Sequence, residues 1–158
     1  MSTGIIRFCS LYSGSSGNSL FISSGDTRLL VEAGLSGKKI IEALKSIGED
    51  PENIDAILVS HEHSDHIKGA GILSRKFNLP IYASEGTWLA MEDIIGPISE
   101  SNRFVFSSYK TFQIGDIAVM PFPIPHDANE PVGYCFYACG KKVTVATDIG
   151  HINTEMLA

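Results

Sequence analysis

The densest cluster of potentially reactive side chains is the segment Ser60-His61-Glu62-His63-Ser64-Asp65-His66, which holds three of the five histidines of the chain. His61 and His63 are two residues apart, so in extended backbone their imidazoles point the same way and can reach one cation at about 2.0–2.2 Å. Asp65 and His66 follow where the chain turns towards a helix, and they can face a second cation. Two cations about 3.5–4 Å apart stabilise the attacking and leaving oxygens in hydrolysis. The segment therefore predicts a metal centre for hydrolysis.

The residues before and after this segment indicate the strand and the helix that position it. The apolar run Ile54–Val59 is typical of a strand covered on both faces, and a helix is predicted over Ile67–Phe77. Loops after strands are where α/β proteins place their sites. Four potential ligands within six positions in this context favour a metal site over the alternative of solvated loop histidines.

The rest of the chain shows strands alternating with helices, followed by a run of strands. Helices are predicted from an N-cap at Ser36 to Gly48, and from an N-cap at Ser84 to Ile95. This order indicates an α/β layered domain. The further predicted strands are Ile5–Phe8, Leu20–Ile22, Arg28–Val31, Ile81–Ala83, Phe104–Phe106, Thr111–Ile114, Ile117–Pro121, Val132–Ala138 and Val143–Ala146.

Composition limits the possible classes. A chain of 158 residues suits one domain, 1–158. Its composition, with 44% hydrophobic and 19% charged residues, permits a packed core. The net charge of −6 argues against binding of nucleic acid by bulk positive charge, although bound cations can supply that charge locally in a nuclease. No apolar run reaches the roughly 20 residues that span a bilayer. Three cysteines and the absence of a recognisable signal peptide predict a cytoplasmic protein without a membrane segment.

Several motifs together resemble those of a known superfamily. His61-x-His63-x-Asp65-His66 is similar to the signature of the metallo-β-lactamase fold superfamily. Pro125-His126-Asp127 resembles the next histidine ligand of that superfamily, and Thr147-Asp148 resembles its bridging aspartate. The resemblance covers nearly the whole chain. It implies an αββα sandwich, in which two packed sheets carry helices on their outer faces.

Three further motifs narrow the resemblance to the bacterial YycJ-type (WalJ-type) exonucleases. These motifs are Ser13-Gly14-Ser15-Ser16-Gly17-Asn18-Ser19, Glu32-Ala33-Gly34-Leu35-Ser36 and His126-Asp127-Ala128-x-x-Pro131-x-Gly133-Tyr134. The resemblance implies a metal-dependent phosphodiesterase, an exonuclease that acts on DNA ends through a metal-bound hydroxide. Two alternatives stay open: a small-molecule hydrolase of the same fold (a glyoxalase II-type thioesterase or a cyclic phosphodiesterase), and an inactive metal-binding fragment.

The resemblance also implies a ligand set for two divalent ions. The site of the first ion has mostly nitrogen ligands, which suit zinc. The site of the second ion has more oxygen ligands and also accepts manganese or iron. Asp65 is in addition the candidate catalytic base that orients the attacking water. By resemblance, the first ion is assigned to His61, His63 and His126, the second to Asp65 and His66, and a bridge between the two to Asp148.

Four other residues are candidate substrate contacts. Ser15, Ser16 and Asn18 could hydrogen-bond a phosphate or a metal ligand, and the alternative is that they serve only the turn itself. His151 is expected to face substrate or solvent rather than to bind metal.

The chain departs from the family pattern at two places. Glu32 stands where the family has an aspartate that supports the metal-binding loops by hydrogen bonds, and a longer carboxylate is expected to shift that support without removing it. Family members also continue for roughly another hundred residues and supply a last histidine to the second metal. The chain is therefore expected to be a fragment with an incomplete second half, weak activity and exposed apolar surface that favours a homodimer. Its last residues, Asn153–Ala158, are expected to begin a helix.

Overall fold

The computed structural model describes residues 5–146 and the backbone of 151–153. Six strands form the first sheet, in the order β1 to β6. The first three pair antiparallel, and β3, β4, β5 and β6 run parallel. Gly25, with a φ of +58°, allows the two-residue turn between β2 and β3. The strands are β1 (Ile6–Tyr12), β2 (Ser19–Ser24), β3 (Thr27–Val31), β4 (Ala56–Leu58), β5 (Ile81–Ser84) and β6 (Arg103–Phe106).

Five antiparallel strands form the second sheet, in the order β11-β10-β9-β8-β7. Asn153, the expected start of a terminal helix, ends a strand that pairs with β10, and the expected helix would fall on residues 154–158, which lie outside the described part. The strands are β7 (Phe112–Ile114), β8 (Ile117–Pro123), β9 (Val132–Ala138), β10 (Lys141–Ala146) and β11 (His151–Asn153).

Apolar residues of the first sheet point alternately into two cores. On β2, Phe21 packs towards the helices and Ile22 towards the second sheet, as the two-residue period of a strand requires. The core between the sheets is completed by residues such as Leu58 and Phe136. The predicted α/β sandwich of two sheets packed face to face is thereby confirmed.

Four helices cover the outer face of the first sheet. They are α1 (Gly37–Ser46), α2 (Ser64–Ile67), α3 (Ala70–Phe77) and α4 (Glu85–Ile95), and each contributes a buried apolar residue to the same core. Both predicted N-caps are confirmed, since Ser36 accepts a hydrogen bond from Lys39 N and Ser84 accepts one from Thr87 N. Within the described residues, no helix covers the second sheet, and none is long and apolar enough to cross a membrane.

The helix predicted over Ile67–Phe77 is wrong in one respect, because the structure divides it at Gly69. The Gly69 N–H donates to Ala33 O at 2.7 Å instead of continuing the helix ladder. A Cβ on Gly69 would lie 2.3 Å from Leu35 O, so only glycine permits this close approach. The break lets α2 carry ligand candidates at the edge of the sheet while α3 packs into the core.

Candidate metal centre

Parallel strands β3, β4 and β5 bring three polar loops to one edge of the first sheet. Glu32 follows β3, His61 follows β4 after two residues, and Ser84 ends β5 where α4 begins. The Val59 N–H donates to Tyr82 O, so β4 stays paired with β5 up to the start of the histidine segment. His126 reaches the same edge from the loop between β8 and β9 of the second sheet. The site therefore forms where the two sheets meet.

The structure brings His61, His63 and His126 together. Their ring centroids are 4.6, 4.5 and 4.9 Å apart for the pairs 61–63, 61–126 and 63–126. One nitrogen from each ring lies within 4.8 Å of the other two. His63 Nδ1 and His126 Nε2 are 3.3 Å apart, and two nitrogens bound to a tetrahedral zinc at about 2.0–2.1 Å are separated by about 3.3–3.4 Å. The three histidines thus fit a divalent metal ion in donor type and in spacing.

Asp65 and His66 present a second pair of donor atoms beside this group. Asp65 Oδ2 lies 3.4 Å from His66 Nε2, and the His66 ring is 4.1 Å from that of His61. His66 is buried, whereas the Asp65 side chain keeps 32% of its exposure. An oxygen and a nitrogen that face the same space suit a second ion with a mixed ligand set. The ligand roles of all five residues nevertheless stay predictions.

Glu32 supports the loops below both groups. Its Oε1 accepts the Ser60 N–H at 3.0 Å, and its Oε2 lies 2.9 Å from His66 Nδ1 and accepts the Ser60 hydroxyl. Because that hydroxyl proton goes to Glu32, Ser60 Oγ can only accept the proton of His61 Nδ1, 2.8 Å away. The Nδ1 atoms of His61 and His66 are thereby engaged by Ser60 and Glu32, which leaves the Nε2 atom of each ring for a metal. The longer carboxylate keeps the support that the sequence analysis assigned to the family aspartate.

Burial and hydrogen bonding act in opposite directions on Glu32. Burial acts to raise the pKa of this carboxyl, but the hydrogen bond and charge of His66 and two hydrogen bonds from Ser60 outweigh it, so the pKa lies below its ordinary value. The neighbouring Tyr134 hydroxyl is fully buried and donates to Val59 O at 2.6 Å. Burial, and then the negative charge of Glu32, raise the pKa of Tyr134 well above its ordinary value. Glu32 is therefore ionised and Tyr134 is a neutral donor.

Asn18 is tied to Asp65 by both its backbone and its side chain. Its Nδ2 donates to Asp65 Oδ2 at 3.2 Å, and its backbone N–H donates to Asp65 O at 2.9 Å. The chain passes so close here that a Cβ on Gly34 would lie 1.7 Å from Asp65 O. Ser15 and Ser16 are exposed in the adjacent turn. The structure thus assigns Asn18 a contact with Asp65, while the substrate contacts of the two serines and of Asn18 stay predictions.

Replacing Asn18 by alanine is expected to lower metal affinity at the Asp65 position, and with it phosphodiesterase activity, by about 10–100-fold. The reason is that Asp65 Oδ2 loses the donor that fixes its orientation. Metal titration and turnover of bis(p-nitrophenyl) phosphate measure the effect. Ser13→Ala, at an exposed position of the same loop to which no contact is assigned, is the matched control, and an equally large loss in that variant would contradict the special role of Asn18.

Two of the sequence-predicted site residues lie partly or wholly outside the described structure. Asp148, the expected bridging ligand, falls in the segment 147–150 that is not described. His151 begins β11, where its backbone pairs with Ala146, but the position of its side chain is not described. Their assigned roles stay predictions.

Sequence reasoning missed two residues that alternate with the histidines, Ser60 and Glu62. Ser60 links Glu32 to His61, and Glu62 Oε2 accepts the backbone N–H of Asn129 at 2.9 Å. Their partners Glu32 and Asn129 lie 28 and 67 residues away in the chain, so the spacing within the segment does not indicate these bonds.

Comparison with known proteins agrees with this arrangement. The family model described as Metallo-beta-lactamase superfamily matches residues 12–157. This chain belongs to the metallo-β-lactamase superfamily. The superfamily binds divalent metals, and the His61, His63 and His126 group lies within the match.

Relatives with curated names point to one branch of the superfamily. The chain is 44% identical to the exodeoxyribonuclease YycJ of Bacillus anthracis over 151 residues, which are 96% of this chain and 57% of that protein. It is also 44% identical to the exodeoxyribonuclease WalJ of Streptococcus pneumoniae over 152 residues, which are 95% of this chain and 56% of that protein. The chain thus spans little more than half the length of these relatives.

Among solved structures, the chain resembles the metallo-beta-lactamase fold protein YhfI from Bacillus subtilis. The TM-score is 0.72 at 18% sequence identity, over 89% of this chain and 61% of that one. At this identity the similarity concerns the fold. It agrees with the two packed sheets described above.

Proposed function

We propose that this chain carries the metal-binding part of a metal-dependent phosphodiesterase that acts as an exonuclease on DNA ends. The observation that carries the proposal is the convergence of His61, His63 and His126 beside Asp65 and His66, with the buried carboxylate of Glu32 in contact with His66. The identity of 44% to proteins named exodeoxyribonucleases supports the choice of DNA as substrate.

Each protein group has a distinct task in this proposal. His61, His63 and His126 hold a first ion, for which zinc is the expected metal, and Asp65 and His66 hold a second, for which zinc, manganese or iron is suitable. Asp148 is the proposed bridging ligand. Divalent ions supply Lewis acidity and lower the pKa of bound water. Asp65, whose side chain Asn18 orients, would accept a proton from the attacking water.

The charge distribution favours a phosphodiester substrate only when cations are bound. The chain has a net charge of −6, and the site itself contains the carboxylates of Glu32 and Asp65. This negative charge disfavours the binding of an anionic phosphate at the metal-free site. Two divalent ions add four positive charges at the place where the phosphate must sit. The proposal therefore requires that DNA hydrolysis depends strictly on metal.

The proposal is tested by metal analysis together with three substrates. We expect weak, chelator-sensitive hydrolysis of bis(p-nitrophenyl) phosphate and of linear double-stranded DNA, with less cleavage of covalently closed circular DNA, because an exonuclease needs an end. His63→Ala, which removes an exposed ligand candidate, is expected to abolish this activity. Cleavage of a glutathione thioester but not of DNA would point instead to a small-molecule hydrolase. A chain that binds no divalent metal would refute the proposal.

A further inference from the structure

The three-histidine group depends on two loops that belong to different sheets. His61 and His63 follow β4 of the first sheet, whereas His126 lies three residues beyond the end of β8 in the second sheet. Among the described residues, few backbone contacts tie the two loops together. The clearest is the hydrogen bond from Val132 N–H to Ser60 O at 3.0 Å, at the far end of the β8–β9 loop. The position of His126 must therefore be fixed by side chains.

Several hydrogen bonds hold the loop of His126 against the first sheet. Asn129 Nδ2 donates to Gly86 O at 2.8 Å, and Glu130 Oε1 accepts the Gly86 N–H at 2.7 Å. Ser84 Oγ donates to Glu130 O at 2.8 Å. These bonds connect residues 129 and 130 to the end of β5 and the start of α4.

Glu62, which is part of the histidine segment, forms a further hydrogen bond to the loop of His126. It lies between His61 and His63 in the chain, and its Oε2 accepts the Asn129 N–H at 2.9 Å. Asn129 is only three residues from His126, so this bond joins the segment with two ligand candidates directly to the loop with the third. It is a contact between the proposed ligand loops that does not pass through α4.

Stability alone does not explain a carboxylate at this place. Glu62 Oε1 is buried and has no hydrogen-bond partner among the described residues. A buried carboxylate oxygen without a partner lowers stability, because the lost hydration is not replaced. A group that costs stability and yet aims its other oxygen at the His126 loop is expected to serve the site.

We propose that Glu62 is a positioning residue, which holds His126 in place to complete the three-histidine metal site. Its Oε2 is engaged by the Asn129 N–H, and among the described residues the carboxylate does not belong to either group of side chains that could hold an ion. Its role is to accept the Asn129 N–H and so to fix the distance between the two loops. This inference rests on the proposed metal site, but it concerns the geometry of the loops and does not depend on which substrate is hydrolysed.

The test compares Glu62→Ala with Glu62→Gln, because glutamine keeps an oxygen that can accept the Asn129 N–H. Zinc affinity is measured by competition with a chromophoric chelator, and the ligand set is read from the visible spectrum of the cobalt(II) form. We expect Glu62→Ala to weaken zinc binding by about 10–100-fold and to shift the cobalt spectrum towards that of His126→Ala. Glu62→Gln is expected to restore most of the affinity and the original spectrum.

Two controls separate positioning from general destabilisation. Glu92→Ala breaks the ion pair with Arg103, 3.3 Å long on the surface of α4, and is expected to leave zinc affinity and spectrum unchanged. In the metal-free protein, amide exchange at Asn129 is expected to accelerate in Glu62→Ala and to stay slow in Glu62→Gln.

The inference is overturned if Glu62→Ala binds zinc as the wild type does, if glutamine fails to rescue, or if exchange at Asn129 is unchanged. An equal loss of affinity in Glu92→Ala would likewise overturn it, since the effect would then be general. Failure of the wild type to bind zinc would refute the proposed metal site, and that result is recognised before any variant is compared.

Discussion

Replacing Asp65 by alanine is expected to lower the rate of phosphodiester hydrolysis by about 10²–10⁴-fold, the range typical of a general base. Asp65 Oδ2 faces His66 Nε2 at 3.4 Å and is oriented by Asn18 Nδ2 at 3.2 Å, so the substitution removes both a proton acceptor and a donor atom for the second ion. The fold should survive. The side chain is one-third exposed, and the backbone oxygen still accepts the Asn18 N–H at 2.9 Å.

Turnover of bis(p-nitrophenyl) phosphate and thermal unfolding, measured on the same preparations, check this prediction. Asp65→Asn is the matched control, because it keeps the size of the side chain while removing its charge and its basicity. We expect Asn and Ala to be similarly inactive and both to unfold close to the wild-type temperature. Full activity in Asp65→Ala would remove Asp65 from the mechanism, and simple unfolding would show that its role is structural.

The parts of the fold that the sequence predicts are those encoded by local periodicity. Strand β2 alternates between two cores, and the helix caps Ser36 and Ser84 lie where side-chain chemistry places them. Gly69 shows the limit of such patterns. Its neighbours favour one continuous helix, but a tertiary contact with Ala33 O divides it. Periodicity cannot reveal a backbone approach from a segment more than thirty residues away in the chain.

The candidate site likewise contains residues that the sequence predicts and residues that it does not. The segment from His61 to His66 is predictable because four potential ligands lie within six positions after an apolar strand. His126 could be added only through the resemblance, since its approach to His61 depends on how the two sheets pack. The supporting residues Ser60 and Glu62 carry no motif of their own. Their roles follow from hydrogen bonds to residues distant in sequence, which sequence spacing does not encode.

Glu32 is the residue whose replacement is expected to affect stability most. Its carboxylate accepts from the backbone N–H and the hydroxyl of Ser60 and lies 2.9 Å from His66 Nδ1, and all three residues are buried. Alanine would leave these donors without their acceptor and open a cavity, at a cost of about 3–5 kcal/mol in the free energy of unfolding. Chemical denaturation measures this loss, and a change below about 1 kcal/mol, the usual worth of one hydrogen bond, would contradict it.

Glu32→Gln separates the metal-binding role of Glu32 from its role in stability. Glutamine fills the same volume, and its oxygen can still accept the Ser60 N–H, but its amide then points donors at Ser60 Oγ and His66 Nδ1. His66 Nδ1 must become an acceptor, which moves the ring proton to Nε2, the nitrogen proposed to bind metal. We therefore expect much of the stability to remain while the second ion is lost. Nitrogen-15 shifts of His66 report the tautomer and metal analysis reports the stoichiometry. Retention of both ions with the proton still on Nδ1 would show that the Glu32 charge does not set the ligand atom.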